Sequence, residues 1–155
     1  MVFLLIFVKK EYMYQALLHA HSGLRWVALI LLIAAIITAI SAKRKGEYTS
    51  KHKKLNLFAM IFLHVQILIG SLLYFQSPKG FISKDPVLIR FFVMEHLSMM
   101  VIAAVLVTIG RKKAEKALAP IVKHQKIIVW YSISLLLILA SIPWPFRKAL
   151  GGAWF

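Results

Sequence analysis

The chain has no cysteine among its 155 residues. That excludes disulfides, thiolate-bound zinc, iron–sulfur clusters and covalent haem attachment through a C-x-x-C-H motif. Acidic side chains are nearly as scarce. Only 5 Asp plus Glu stand against 20 Lys plus Arg, a formal net charge of +15. Charged residues of both signs make up 16% of the chain, where a soluble domain carries about 25%. The hydrophobic share is 61%. Disorder requires low hydrophobicity, and a soluble domain of this size has too little interior to hide so much apolar surface. Nucleic-acid binding would account for the positive charge but not for the apolarity. The composition points to an all-α, multi-pass membrane protein with no soluble domain.

A spanning helix needs about 20 mostly apolar residues, and four stretches qualify: about 14–42, 55–75, 86–110 and 120–142. Polar segments separate them: KRKGEYTSKHKK, QSPKGFISKD and RKKAEKALA. Pro86 and Pro120 stand where a first helical turn tolerates proline, and Pro143 and Pro145 end the last span. The expected fold is an up-down-up-down four-helix bundle.

The cations are unevenly placed. Lys43, Arg44, Lys45, Lys51, Lys53 and Lys54 surround the first loop. Arg111, Lys112, Lys113, Lys116, Lys123 and Lys126 surround the third. Together these are 12 of the 20. Cytoplasmic loops collect Lys and Arg, so loops one and three are expected inside and both termini outside. Such runs also attract anionic lipid. The opening MVFLLIFV is too short to span, and Lys9 and Lys10 follow it instead of preceding it as in a signal peptide. Residues 1–13 read as an attached interfacial extension, with Met13 an alternative start, and 147–155 as an exposed tail.

Ionisable residues inside spans are the informative ones in a membrane. They are His19, His21 and Arg25 on the first span, His64 on the second, Arg90, Glu95 and His96 on the third, and His124 on the fourth. At 1.5 Å per residue, His21 and His96 lie on the order of 10 and 13 Å below the outer edge. His64 and His124 lie on the order of 14 and 6 Å from the inner edge. Each pair comes from helices diagonal to one another in such a bundle. Two macrocycles with bis-imidazole axial ligation would fit, a coordination that favours electron transfer over oxygen chemistry. His21 is preferred to His19 because it lies deeper and beside Gly23, where a ring could approach the backbone. Gly70 could give similar room near His64. Each histidine has a plain alternative as a hydrogen-bonded packing residue, and His124 also as a solvated helix foot.

Arg25 and Glu95 share a depth of roughly 13 Å. They read either as an interhelical ion pair or as a cofactor set, with Arg25 on a haem propionate or quinone and Glu95 accepting a proton. Arg90, nearer the edge, suits an exposed propionate. Trp26, Trp130 and Tyr131 could flank a macrocycle but fit packing better.

The strings HSGLRW (21–26), LHVQILIG (63–70), RFFVMEH (90–96) with MM at 99–100, KHQK (123–126) and IPWPF (142–146) resemble a family of short four-helix bacterial membrane proteins labelled cytochrome b or cytochrome b-like. The resemblance runs from Met13 onward and implies b-type haem and membrane electron transfer. Its histidines match His21, His64, His96 and His124. The expected function is therefore a bacterial inner-membrane, respiratory-chain cytochrome carrying two b haems, one on His21 and His96 and one on His64 and His124. Its partners would be quinol, a redox protein or a larger membrane complex, and no nucleic acid. The rival expectations are a haem-free accessory subunit and a metal-binding membrane protein using His19, His21, Glu95 and His96.

Overall fold

The computed structural model describes residues 2–151, with side chains from residue 8 onward. Among the described residues there are helices and turns and no strand. Four long helices carry the fold: α1 (Val2–Lys45), α2 (Ser50–Gln76), α3 (Pro86–Lys116) and α4 (Pro120–Ser141). Each is long and apolar enough to cross a membrane.

Local chemistry sets the helix ends. Gly46 adopts φ 68° after the last turn of α1, a left-handed conformation that glycine reaches without steric cost. Thr49 caps α2, and its backbone N–H donates to His52 Nδ1 at 3.1 Å. The Asp85 carboxylate accepts from the Val87 N–H at 2.8 Å, with Pro86 at the first helical position of α3.

α1 packs on α2 and α4, α4 packs on α3, and the α2–α3 seam is the least extensive. Small residues line the close approaches. Ala28, Leu32, Ala35, Ala39 and Ala42 form one buried stripe of α1, and Ala103, Val107 and Ala114 one of α3. Ile30, Ile33, Ile37 and Ile40 point outward instead. This inverted pattern suits lipid, where helices associate through tight backbone packing and not through removal of large side chains from water. Gly110 marks the tightest crossing, because a Cβ there would overlap the Trp130 side chain on α4.

Two expectations at the termini change. The first helix runs without a break from residue 2, so 1–13 is not set apart from the first span by any turn within the described residues. At 44 residues it is about 66 Å long. The tail is not simply exposed. Lys148–Leu150 forms a 3₁₀ turn, Leu150 is buried, and Lys79 Nζ donates to the Gly151 carbonyl at 2.8 Å. Residues 152–155 lie outside the described part.

Within α3, Ile89–His96 is π-helical. Hydrogen bonds i→i+5 replace the usual i→i+4 pattern, a feature found most often at functional sites. Residues five apart therefore become neighbours. Phe91 stacks on His96 with ring centroids 6.1 Å apart, and Arg90 Nε pairs with Glu95 Oε1 at 3.1 Å.

Candidate functional site

A cavity of about 260 Å³ lies at the end of the bundle where α2 and α4 finish and α3 begins. All four helices contribute to it, together with the turn after α2. Its walls are mainly apolar, including Leu29, Leu63, Leu73, Phe92, Met100 and Ile138. The polar groups facing it are His21, Arg25, Gln66, Lys79 and His96, with Ser22, Tyr14, Tyr74 and Ser77 at its margins. Among the described residues, no carboxylate lines it.

His96 enters from the last residue of the π segment. Its Nδ1 lies 2.8 Å from the Ser141 carbonyl oxygen. A carbonyl only accepts, so Nδ1 carries the proton and Nε2 keeps its lone pair. Metal-binding histidines are commonly anchored this way, through the second ring nitrogen to a backbone carbonyl.

His21 faces the same cavity from α1. Its ring rests against α2 at Gly70, where a Cβ would stand 2.9 Å from His21 Cε1. Gly23, by contrast, has nothing within 4 Å of a built Cβ. The glycine that admits the imidazole is thus Gly70 on the neighbouring helix, and it serves His21 and not His64. His21 Nδ1 is buried with no hydrogen-bond partner. Its carbonyl oxygen accepts from Gln66 Nε2 at 2.7 Å.

Arg25 lines the cavity one turn from His21, its guanidinium 5.3 Å from the Trp26 ring centre. Lys79 supplies a second cation, 6.0 Å from the Phe92 ring centre. Glu95 is not part of this group. It pairs with Arg90 on the exposed side of α3, with side-chain exposures of 48% and 75%. The expected Arg25–Glu95 partnership is corrected on that ground: the π turn directs His96 inward and leaves Glu95 and Arg90 outside. Arg90 is likewise not at the cavity.

The expected second pair does not form. His64 is exposed on the α2–α3 seam, with Nδ1 2.8 Å from its own Met60 carbonyl and Nε2 3.3 Å from Thr108 Oγ1. His124 is fully buried at the opposite end of the bundle from the cavity. Its Nε2 lies 2.7 Å from the Glu47 carbonyl oxygen, and its ring centre is 5.1 Å from that of His52. His52 and His64 are 12 residues apart on α2, about 18 Å. His64 and His124 therefore cannot share one iron. His124 is a packed residue in a polar cluster, not a solvated helix foot.

That cluster closes the end of the bundle opposite the cavity. Tyr48 Oη donates to Glu115 Oε1 at 3.0 Å and accepts from Asn56 Nδ2 at 3.2 Å. Tyr131 Oη donates to the Asn56 carbonyl at 2.8 Å, and Lys53 pairs with Glu115 at 3.3 Å. Burial beside Glu115 pushes the Tyr48 phenol up to about 12. Tyr131 and Trp130 are packing residues here, and Trp26 sits 6.4 Å from Trp144 near the cavity end.

The set His19, His21, Glu95 and His96 is not assembled, since His19 and Glu95 are exposed. Among the described residues, no group of three or more His, Asp or Glu side chains gathers to hold a metal ion. Sequence reasoning passed over Gln66, Lys79 and Phe92. Gln66 is a neutral amide and Lys79 lies in a loop, so neither stands out as an ionisable group within a span.

No protein-family model, curated protein or solved structure matches the chain.

Proposed function

We propose that this chain is a membrane b-type cytochrome that holds one haem in the cavity between His21 and His96. The observation that carries the reading is a pair of imidazoles from two different helices facing one apolar cavity, with His96 Nδ1 bound to a main-chain carbonyl.

The residues fit that group on several counts. His96 offers a lone pair on Nε2, fixed by Ser141. His21 is seated in a cradle that a Cβ at Gly70 would fill. Arg25 and Lys79 give the cavity positive charge, with no lining carboxylate among the described residues, which suits the two propionates of haem. The volume of about 260 Å³ is below the lower end of small-molecule sites, about 300 Å³, so haem would enter only with the cavity walls moved apart. Bound haem would supply one-electron redox chemistry, and His21 and His96 would hold it. The protein's own contributions are the imidazoles, the surrounding apolar wall that lowers the local dielectric, and the two cations that favour the more negative bound form.

In this reading the chain is an up-down-up-down bundle in a bacterial inner membrane. Loops one and three, with their 12 cations, lie inside, and the cavity and both termini lie on the outer side. Bound haem would exchange electrons with a quinol or a partner redox protein. The polar cluster of Tyr48, Asn56, Glu115, His124 and Tyr131 is structural.

The test is the optical spectrum of protein purified from cells supplied with haem. A reducible Soret and α band at about one haem per chain is expected, lost in His21→Ala and His96→Ala and kept in His64→Ala. A protein that folds and lacks both bands overturns the reading and leaves a haem-free subunit of a larger complex.

A further inference from the structure

Gln66 is the least explained residue of the cavity. It lies within the second apolar span and is 8% exposed. A buried polar group without a partner is costly, so a buried amide at this depth needs an account.

Half of the account is already made. Gln66 Nε2 donates to the His21 carbonyl oxygen at 2.7 Å. That oxygen only accepts, which settles the orientation of the amide: its nitrogen is held by His21 and Oε1 is its other arm. Oε1 is buried and has no hydrogen-bond partner, and the same is true of His21 Nδ1. The two unmet atoms are complementary. An amide oxygen is an acceptor, and Nδ1 is a donor in the tautomer that leaves Nε2 with its lone pair. They also share one wall. The His21 ring touches α2 at Gly70, and Gly70 is one helical turn from Gln66 on the same face of that helix.

We propose that Gln66 is the positioning residue of His21, holding its main chain through Nε2 and, by a rotation of either side chain, accepting the His21 Nδ1–H on Oε1. The cavity then has two imidazoles fixed by different means. His96 is anchored by the Ser141 main chain, which substitution cannot remove. His21 is anchored by a side chain, so its ring orientation and basicity are set by residue 66. The consequence for haem rests on the function proposed above, whereas the tautomer of His21 does not.

Two measurements separate the two ideas. The first uses haem-free protein in detergent and reads the ¹⁵N resonances of His21. The wild type is expected to show Nδ1 protonated and Nε2 bare, and Gln66→Leu to lose that preference. Gln66→Glu, which keeps an acceptor at the same reach, should restore it. An unchanged His21 tautomer in Gln66→Leu overturns the proposal whether or not the protein binds haem. The second uses the haem-loaded protein. Loss of such a partner typically weakens metal binding about 10-fold or more. Gln66→Leu should therefore release haem about 10-fold more readily and shift both its midpoint potential and its low-spin resonance signature, with recovery in Gln66→Glu. Wild-type retention, potential and signature in a folded Gln66→Leu protein also overturn it. If Gln66→Leu does not fold, Gln66→Ala decides: it offers neither donor nor acceptor, and a wild-type His21 tautomer there refutes the assignment. Failure of the wild type to bind haem removes the functional reading and leaves the nitrogen measurement to judge Gln66.

Discussion

Two glycines to alanine should have opposite consequences, although both lie in apolar helices and only 47 positions separate them. At Gly70 the added methyl would stand 2.9 Å from His21 Cε1 and 3.5 Å from its Nδ1. Carbon atoms rest comfortably at about 3.5 Å or more, so the imidazole must retreat by about 0.6 Å. Turning a side chain about 30° off its rotamer costs about 0.5–1.5 kcal/mol. Alanine regains about 1 kcal/mol of helix propensity over glycine. The two nearly cancel, so Gly70→Ala should melt within about 1 kcal/mol of wild type while its His21 is displaced. With His21 holding haem as proposed, a shift of this size is enough to lower haem retention about 10-fold or more. At Gly23 a built Cβ meets nothing within 4 Å, so only the propensity gain remains. Gly23→Ala should raise the melting temperature by about 2–4 °C and leave the spectrum alone. The assay is thermal unfolding in detergent, followed by helical circular dichroism and by the Soret band on the same samples. Wild-type haem retention in Gly70→Ala, or loss of haem in Gly23→Ala, would refute the assignment of Gly70 as the seat of the imidazole.

Other outcomes follow from the same geometry. His124→Ala should keep the haem spectrum and lose about 1–3 kcal/mol of stability, because it removes the bond to the Glu47 carbonyl at a fully buried position; loss of haem there would restore the inner ligand pair. Glu95→Gln should leave haem content and midpoint potential unchanged and cost less than about 1 kcal/mol, since its partner Arg90 is exposed; a shifted potential would return Glu95 to the cavity. Gly110→Leu should destabilise by about 1–3 kcal/mol through overpacking on Trp130, read by thermal unfolding. The Tyr48 phenol is raised to about 12 by burial. The folded state therefore holds that proton more tightly than the unfolded state, whose phenol titrates near 10. Stability from this group is intact below pH 10 and is lost as pH rises through 12, and alkaline unfolding of Tyr48→Phe should lack that component.

The four spans were legible from residue types alone, and their limits agree with the observed helices to within a few residues at Ser50–Gln76 and Pro120–Ser141. Lipid permits only long apolar helices or closed barrels, so hydropathy leaves little freedom. The meeting of His21 and His96 at one cavity was also legible as a match of depth, because rise per residue is fixed along a helix. Depth without rotation misled at the other end. His64 and His124 looked paired, yet one faces the α2–α3 seam and the other the first loop.

What the sequence by itself determined is the membrane class, the number of spans and the positions of the intramembrane polar residues, since each depends on composition within a single segment. What only the tertiary structure decided is which of those residues share a space. The π turn at Ile89–His96 pairs Glu95 with Arg90, five residues away, on the exposed side of α3. The bareness of Gly70 admits a ring from another helix, and Gln66 acquires its meaning only from the His21 main chain beside it. Each depends on helix rotation and close approach, which arise from small-residue packing between helices and leave no mark within one span.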